Sequence, residues 1–361
     1  MKPYFPGKPI AEVKRELGLK RVVKLASNEN FLGSSPKALA AARRAVRAAH
    51  HYPEGASPLL RRALADSCGL QEANVIIGNG SDEVARLLCE TMLSVNDEVV
   101  CSQYAFIRFK QQAMLMGAKV IEAPMQDWTH DLKVIGQTAS SRTKMVFVAS
   151  PNNPTGTYNT KEQVQGLLKA LSPSTILVLD EAYYHYAIGR PDYPDTIPGL
   201  VKKHPNLFVM RTFSKAYGLA GFRVGYGVGD AELINWIDRI RMPFNVNLPA
   251  QEAALAALRD SAFLKKSVSL TRRNLESLSA ELKKLGLSAG ESAANFLFVH
   301  SPIPGRELFK QLLHKGVIVR SLDEYGLPNH VRISVGSKSE NRFLLKALRE
   351  VLAPSAENNH K

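Results

Sequence analysis

Between residues 75 and 240 short apolar runs alternate with amphipathic helical patterns, and few architectures accept that order. "NVIIG" precedes "SDEVARLLCETML", "EVVCS" precedes "FIRFKQQAMLMG", and "KMVFVAS" precedes "TKEQVQGLLKAL". "TILVLD" and "LFVMR" follow, and "RVGYGVG" leads into "DAELINWIDRI". Strands alternating with helices predict an α/β domain with a mostly parallel central sheet flanked by helices. Ahead of it, "SSPKALAAARRAVRAA" and "ASPLLRRALADSC" read as helices, with Ser35 and Ser57 as N-caps and Pro36 and Pro58 at the first helical positions.

The segment "RMPFNVNLPA", with two prolines, marks a boundary at residues 241–249. A long helical pattern follows, from about Gln251 to Leu285. Then come "NFLFVH", "ELFKQLLHKG", "VIVRS", "HVRISVG" and "SENRFLLKALREVL", which predict a smaller α+β domain. The expected organisation is an N-terminal arm over 1–30, a large domain over 31–245 and a small domain over 246–361. A chain of 361 residues suits two domains better than one core, and 45% hydrophobic residues argue against disorder.

Composition bears mainly on location and partners. Cys68, Cys89 and Cys101 have no metal-ligand spacing and leave one over from any pairing, as in a reducing compartment. The start "MKPYFPGKPIAEVKREL" has no apolar signal region, and no apolar run reaches the length of a membrane span. These features predict a cytoplasmic protein with no membrane partner. The net charge of +14 is spread along the chain without a basic block, zinc-finger spacing or aromatic RNA-binding signature, so no nucleic-acid partner is expected.

Four stretches carry chemistry. "TILVLDEAYYHY" ends a buried strand on Asp180, with Tyr183 three residues on, and ligands of open α/β sheets sit at such strand ends. A helix cap and a packed tyrosine would use the same residues. "SPNNPTG", residues 150–156, follows another buried strand as a rigid turn able to aim an amide, or to serve only as a turn. "GNGSDE" puts glycines before a helix starting at Ser81, where backbone N–H groups and the helix dipole favour an anion. "TFSKAYGLAGFRVGYGVG" sets Lys215 and Arg223 among small, aromatic and hydroxylic residues. A lysine in a low-dielectric site loses proton affinity and becomes a nucleophile towards carbonyls. Thr212 and Ser214 add hydroxyls, and an arginine fork suits phosphate. A phosphate, an aldehyde and a basic ring nitrogen would satisfy all four stretches, and pyridoxal 5'-phosphate carries each of them.

The order and separation of "SPNNPTG", "LDEAYYHY" and "TFSKAYGLAGFRVGY" resemble the fold-type I pyridoxal-phosphate-dependent aminotransferases. With "LASNENFLGSSP", "HYPEG" and "HVRISVGS" the chain is similar to the histidinol-phosphate aminotransferase branch, from about Tyr4 to Leu352. Phe31 departs from that pattern, since the branch commonly has proline after Asn-Glu-Asn. The resemblance implies a Schiff base at Lys215, which would also shuttle the proton, and a pairing of Asp180 with the ring nitrogen. It implies that Tyr183 and Asn153 bind the ring hydroxylate. Thr212, Ser214 and Arg223 would hold the phosphate, with Ser81 and Asp82 at the helix start. Phe106 falls where the family stacks a ring on the cofactor, with Tyr104 as the alternative. Tyr52 matches a tyrosine that reaches the neighbouring subunit's phosphate, which implies a homodimer with shared sites. The arm over 1–30 would serve the small domain and dimer contacts. Arg320, Arg332 and Tyr4 would bind the substrate phosphate, and no metal is implied.

The activity so implied is transfer of an amino group between L-histidinol phosphate with 2-oxoglutarate and imidazole-acetol phosphate with L-glutamate, in histidine biosynthesis. The cofactor motifs leave open an aromatic amino-acid aminotransferase or a threonine-phosphate decarboxylase. A transcription regulator with such a domain would need a DNA-binding module, for which the early start of the sheet pattern leaves no room.

Overall fold

The computed structural model describes residues 8–353. These divide into two compact units, one of residues 32–268 and the other of those up to Phe31 together with those from Ser269 on.

The larger unit is built on a seven-stranded sheet. Its strands in chain order are β1 (Val75–Gly78), β2 (Glu98–Ser102), β3 (Lys119–Ala123), β4 (Thr143–Ala149), β5 (Ile176–Asp180), β6 (Leu207–Thr212) and β7 (Gly225–Val228). Across the sheet they run β1-β7-β6-β5-β4-β2-β3. All neighbours pair in parallel except β7, which is antiparallel to both β1 and β6. The alternating pattern thus gives the mostly parallel sheet it predicts.

Both faces are apolar, because successive side chains of a strand leave on opposite sides. Leu177 and Leu179 of β5 join Leu207 and Val209 of β6 in one core layer, with Leu60, Leu64, Val164, Leu167, Ala250 and Ala254 from the helices on that side. Ile176 and Val178 join Phe208 and Met210 in the other, with Val84, Leu88, Phe109 and Ile234.

The helix Pro36–Val46 starts as expected, with Ser35 Oγ accepting from the N–H groups of Lys37 and Ala38 at 3.1 and 3.4 Å. Ser57 departs from expectation. It lies before the helix Pro58–Cys68 in a left-handed conformation, φ 49°, and its side chain caps nothing. The long helix expected from Gln251 to Leu285 is two helices, Leu248–Leu258 and Ser261–Lys284. They part at Asp260, whose carboxylate accepts from Phe263 N–H and from Ser35 Oγ.

The division between the units therefore falls inside the second of these helices, after Val268 rather than at the expected 245/246. The helix Leu248–Leu258 belongs to the larger unit because Ala250, Ala253, Ala254 and Ala257 complete its core. Prolines in 241–249 mark a turn there, not an end of packing.

The smaller unit has a four-stranded antiparallel sheet of Ser288–Ala289, Phe296–His300, His330–Ser334 and Arg320–Ser321, in that spatial order. Leu297, Val299, Val331 and Ile333 pack with Leu308 and Leu312 of the helix Gly305–His314 and Leu344 and Leu348 of Lys338–Leu352. Val23–Lys24 pairs in parallel with Val317–Ile318, which fastens the leading segment to this unit. Cys68, Cys89 and Cys101 are buried thiols, unpaired with one another. No helix among the described residues is long and apolar enough to cross a membrane. No group of three or more metal-ligating side chains occurs among them.

Candidate active site

One edge of the large sheet gathers several of the residues singled out above. β4 ends at Ala149 opposite Asp180, the last residue of β5. Thr212 ends β6 opposite Gly225, and Gly225 in turn faces Gly78, the end of β1. Because β7 runs the other way, it begins where its neighbours finish, and Arg223 just ahead of it comes to the same edge.

Asp180 is buried, and one carboxylate oxygen accepts from Ala182 N–H at 2.9 Å. Burial pushes its carboxyl up to about 6; the Ala182 bond and the Lys215 charge oppose this, while Glu181 and Asp82 add to it. Tyr183 is buried, and Lys215 Nζ lies 5.8 Å from the centre of its ring.

Lys215 itself is half-buried, on a tight turn whose flanks Phe213, Ala216, Tyr217 and Leu219 are core. Thr212 Oγ1 accepts from Ser214 N–H at 3.1 Å, and Leu219 N–H reaches back to Phe213 O at 2.9 Å. Gly218 closes the turn at φ +72°, where a Cβ would stand 2.1 Å from Gly33 O. The interior character of the run thus belongs to Lys215's neighbours, which hold the turn that presents it.

Arg223 is exposed, in a left-handed conformation at φ 59°, and donates to Ala220 O at 3.1 Å. Its guanidinium lies against the start of the helix Ser81–Met92. A Cβ on Gly80 would meet Arg223 Nη2 at 2.6 Å, and one on Gly225 would meet Ser81 N at 2.4 Å. The glycine at the cap of that helix supplies no capping side chain. Arginine fork and helix N-terminus together make an anion cradle. Ser81 lies at this start. Asp82 contributes backbone there, because its carboxylate is held by Arg108 Nε and Nη2, both at 2.9 Å.

The "SPNNPTG" turn is buried, with cis bonds before Pro151 and Pro154. Asn152 Nδ2 donates to Tyr104 O at 3.1 Å and Thr155 Oγ1 at 3.0 Å, and Asn153 follows it in the same turn. Phe106 packs edge-on against Phe109 with centroids 5.6 Å apart, while Tyr104 leans on Trp128 at 5.7 Å. Tyr52 is 81% exposed and stacks on Phe244 at 4.7 Å.

In the smaller unit Arg320 and Arg332 are directly opposite each other on antiparallel strands, so both side chains leave the same face of the sheet. Arg332 is buried and donates to Ala26 O at 2.5 Å; Arg320 is paired with Glu324. Tyr4 lies outside the described residues.

Residues 20–348 match the family described as aminotransferase class I and II. The chain is 44% identical over 353 residues to the histidinol-phosphate aminotransferase of Moorella thermoacetica, covering 98% of this chain and 91% of that protein. To the Anaeromyxobacter sp. histidinol-phosphate aminotransferase it is 46% identical over 352 residues, with coverages of 97% and 96%. The chain belongs to the class I and II aminotransferases, in their histidinol-phosphate branch. The aminotransferase fold is equally plain in three dimensions. It matches the Sinorhizobium meliloti histidinol-phosphate aminotransferase, solved in complex with pyridoxal-5'-phosphate, with a TM-score of 0.88 at 28% identity, over 96% of this chain and 95% of that one.

Several buried polar residues beside these strand ends escaped the motif reading. Glu181 and Arg211 form a fully buried ion pair, Arg211 Nε and Nη2 reaching Glu181 Oε2 at 2.8 and 2.7 Å. Burial works most strongly against the Arg211 charge, but Glu181 together with Tyr226 and Tyr184 outweighs it and keeps the guanidinium cationic. Arg211 also lies 3.4 Å from the Tyr184 ring centre, and Thr196 Oγ1 donates to Glu181. The pair ties the residue after Asp180 to the residue before Thr212. His130 is buried between Ser102 Oγ at 2.6 Å and Ala149 O at 3.0 Å, and burial lowers it to about 4, so it is neutral and joins the ends of β2 and β4.

Proposed function

We propose that this chain is a pyridoxal-phosphate-dependent transaminase that interconverts L-histidinol phosphate with 2-oxoglutarate and imidazole-acetol phosphate with L-glutamate. It would act in histidine biosynthesis, as a cytoplasmic homodimer. The observation that carries the reading is the convergence of a buried carboxylate, a lysine and an anion cradle on one sheet edge.

The residues fit the cofactor. A carboxyl raised to about 6 by burial calls for a cationic partner, and a protonated ring nitrogen is one. The close approaches at Gly80 and Gly225 keep side chains out of the cradle that a phosphate would enter. When bound, pyridoxal phosphate supplies an aldehyde that condenses with amines and a ring that withdraws electrons. Lys215 Nζ would hold that aldehyde carbon and, once released by the incoming amine, take the proton from the substrate Cα. Asp180 would accept the ring N–H and keep the ring cationic. Thr212, Ser214, Arg223 and the N–H groups of Ser81 and Asp82 would bind the phosphate. Tyr183 and Asn153 would orient the ring through its hydroxylate, and Phe106 would cover one face. Tyr52 of a second copy would add a hydroxyl to the phosphate.

The paired arginines support a phosphorylated substrate, as do the names of the relatives. Histidinol phosphate has no α-carboxylate, so its phosphate is its anionic handle. Each charge-assisted arginine contact is worth about 1.5–3 kcal/mol. Two contacts give a preference on the order of a hundredfold or more over histidinol. The test is a half-reaction panel on the holoenzyme with histidinol phosphate, histidinol, phenylalanine, tyrosine and threonine phosphate, followed by cofactor absorbance. A clear preference for histidinol phosphate is expected. Equal use of histidinol, or faster reaction with phenylalanine, would reassign the enzyme to aromatic amino acids.

A further inference from the structure

Two arginines directly opposite each other on one face of a sheet repel, and like charges in that arrangement destabilise the strand pair unless an anion compensates. Their surroundings screen little of this, since the Arg320 side chain is only 12% exposed and Arg332 is 7% exposed. The carboxylate that holds Arg320 comes from Glu324, four residues on, through Arg320 Nη2. Glu324 is not part of the sheet. It sits on the short 3-10 turn Asp323–Tyr325, closed by Gly326 in a left-handed conformation, φ 74°. The neighbouring acid, Asp323, instead accepts from Ser321 Oγ at the end of the strand.

We propose that Glu324 is the resident counter-ion of the arginine pair: it holds Arg320 in the free enzyme and gives it up to a phosphate dianion. The proposal rests on the reading above, in which Arg320 and Arg332 take the substrate phosphate. Displacement is favourable because the Glu324 side chain is 24% exposed and can return to water, while a phosphate offers a guanidinium two oxygens and a larger charge. It is local, because the Glu324 side chain can swing away without breaking a ladder hydrogen bond. In the free enzyme the pairing keeps Arg320 compensated, so the strand pair does not depend on a bound ligand.

The cost of displacing Glu324 is the same whichever anion arrives. Glu324 therefore sets how tightly anions bind and how fast they leave, and does not choose among them. An amine without a phosphate leaves the pair intact and is indifferent to it. A transaminase must release one product before its second substrate enters, so a competing carboxylate beside the anion site helps turnover.

The experiment uses the holoenzyme with Glu324→Gln, which keeps the side-chain size and removes the charge. Its affinity for inorganic phosphate, by calorimetry, and its KM for histidinol phosphate should both improve about threefold to fivefold, the scale of a partly exposed ion pair. The KM for histidinol should not move. The thermal midpoint of Glu324→Gln should fall below wild type without phosphate, and added phosphate should close that gap. Glu324→Asp, with a shorter reach, should lie between the two. Inorganic phosphate must also compete with histidinol phosphate; binding without competition would place it elsewhere and overturn the assignment. If Arg320→Ala weakens phosphate binding but Glu324→Gln leaves it unchanged, Glu324 is not the counter-ion and the substrate reading stands. If Arg320→Ala itself leaves phosphate binding unchanged, the substrate reading fails and the counter-ion role fails with it.

Discussion

Burial raises the Asp180 carboxyl from 3.8 to about 6, so the folded protein binds that proton more tightly than the unfolded chain does. Below about pH 4 the group is neutral in both states and costs nothing. As pH rises through 4 to 6 the unfolded chain ionises first, and above 6 the full cost, at most about 3 kcal/mol, falls on the cofactor-free fold. Asp180→Asn should therefore make cofactor-free protein more stable at pH 7.5, by about 1–3 kcal/mol in urea unfolding, with the gain vanishing below pH 4. The same change should lower kcat/KM at least a hundredfold, since each factor of ten is about 1.4 kcal/mol of transition-state stabilisation. An Asn variant that keeps near-normal turnover would remove Asp180 from the ring nitrogen. One that is less stable at pH 7.5 would mean that the carboxylate serves the fold rather than the ligand.

The cradle between the helix Ser81–Met92 and the start of β7 depends on backbone that only glycine accepts. Gly80 has φ 82° and ψ 163°, a region almost closed to other residues, and its missing Cβ leaves room for Arg223. Gly80→Ala should cost about 1–3 kcal/mol of stability from the backbone alone. It should also weaken cofactor binding beyond that, by displacing the guanidinium. In an Arg223→Ala background the second effect should disappear and the first remain, which a double-mutant cycle on unfolding and cofactor dissociation would resolve. Equal losses of affinity in both backgrounds would show that the guanidinium is not what Gly80 makes room for. At this scale much was legible in the sequence. The alternation of strand and helix, the apolar runs and the strand end at Asp180 follow from periodicity. The same period of two sends Asp180 and Glu181 to opposite faces, and Arg211 to the face of Glu181, so the ion pair was readable in principle from "LVLDE" and "FVMRT". The partner of Glu324, the bridging role of His130 and the unused cap at Ser57 were not readable. Each depends on which turn brings a side chain back, and turn geometry is set by tertiary packing more than by local residue type.

At the level of the whole molecule, sequence punctuation misled in one respect: prolines at 241–249 suggested a boundary, yet the alanine-rich helix after them completes the large core. If Tyr52 serves a second copy, a heterodimer of one Tyr52→Phe subunit and one Lys215→Ala subunit should keep one wild-type site, because both lesions then fall in the other. Activity near half that of the wild-type dimer is expected; residual activity no higher than that of the Tyr52→Phe protein would place Tyr52 in its own chain's site. The strand order has a further consequence, for biosynthesis. β1 is an edge strand whose one partner in the sheet, β7, lies about 150 residues downstream. A ribosome that has delivered everything through β6 has made Gly78, Ser81, Asp180, Thr212 and both flanking helical layers as far as they go. It has not yet made the strand that joins β1 to β6. Until Gly225–Val228 emerges, both edges are open to pairing with other chains, a known route to aggregation. The anion cradle closes in the same event that covers those edges, so if it takes the cofactor phosphate as proposed, competence to hold the cofactor arrives late and reports on completed assembly of the sheet.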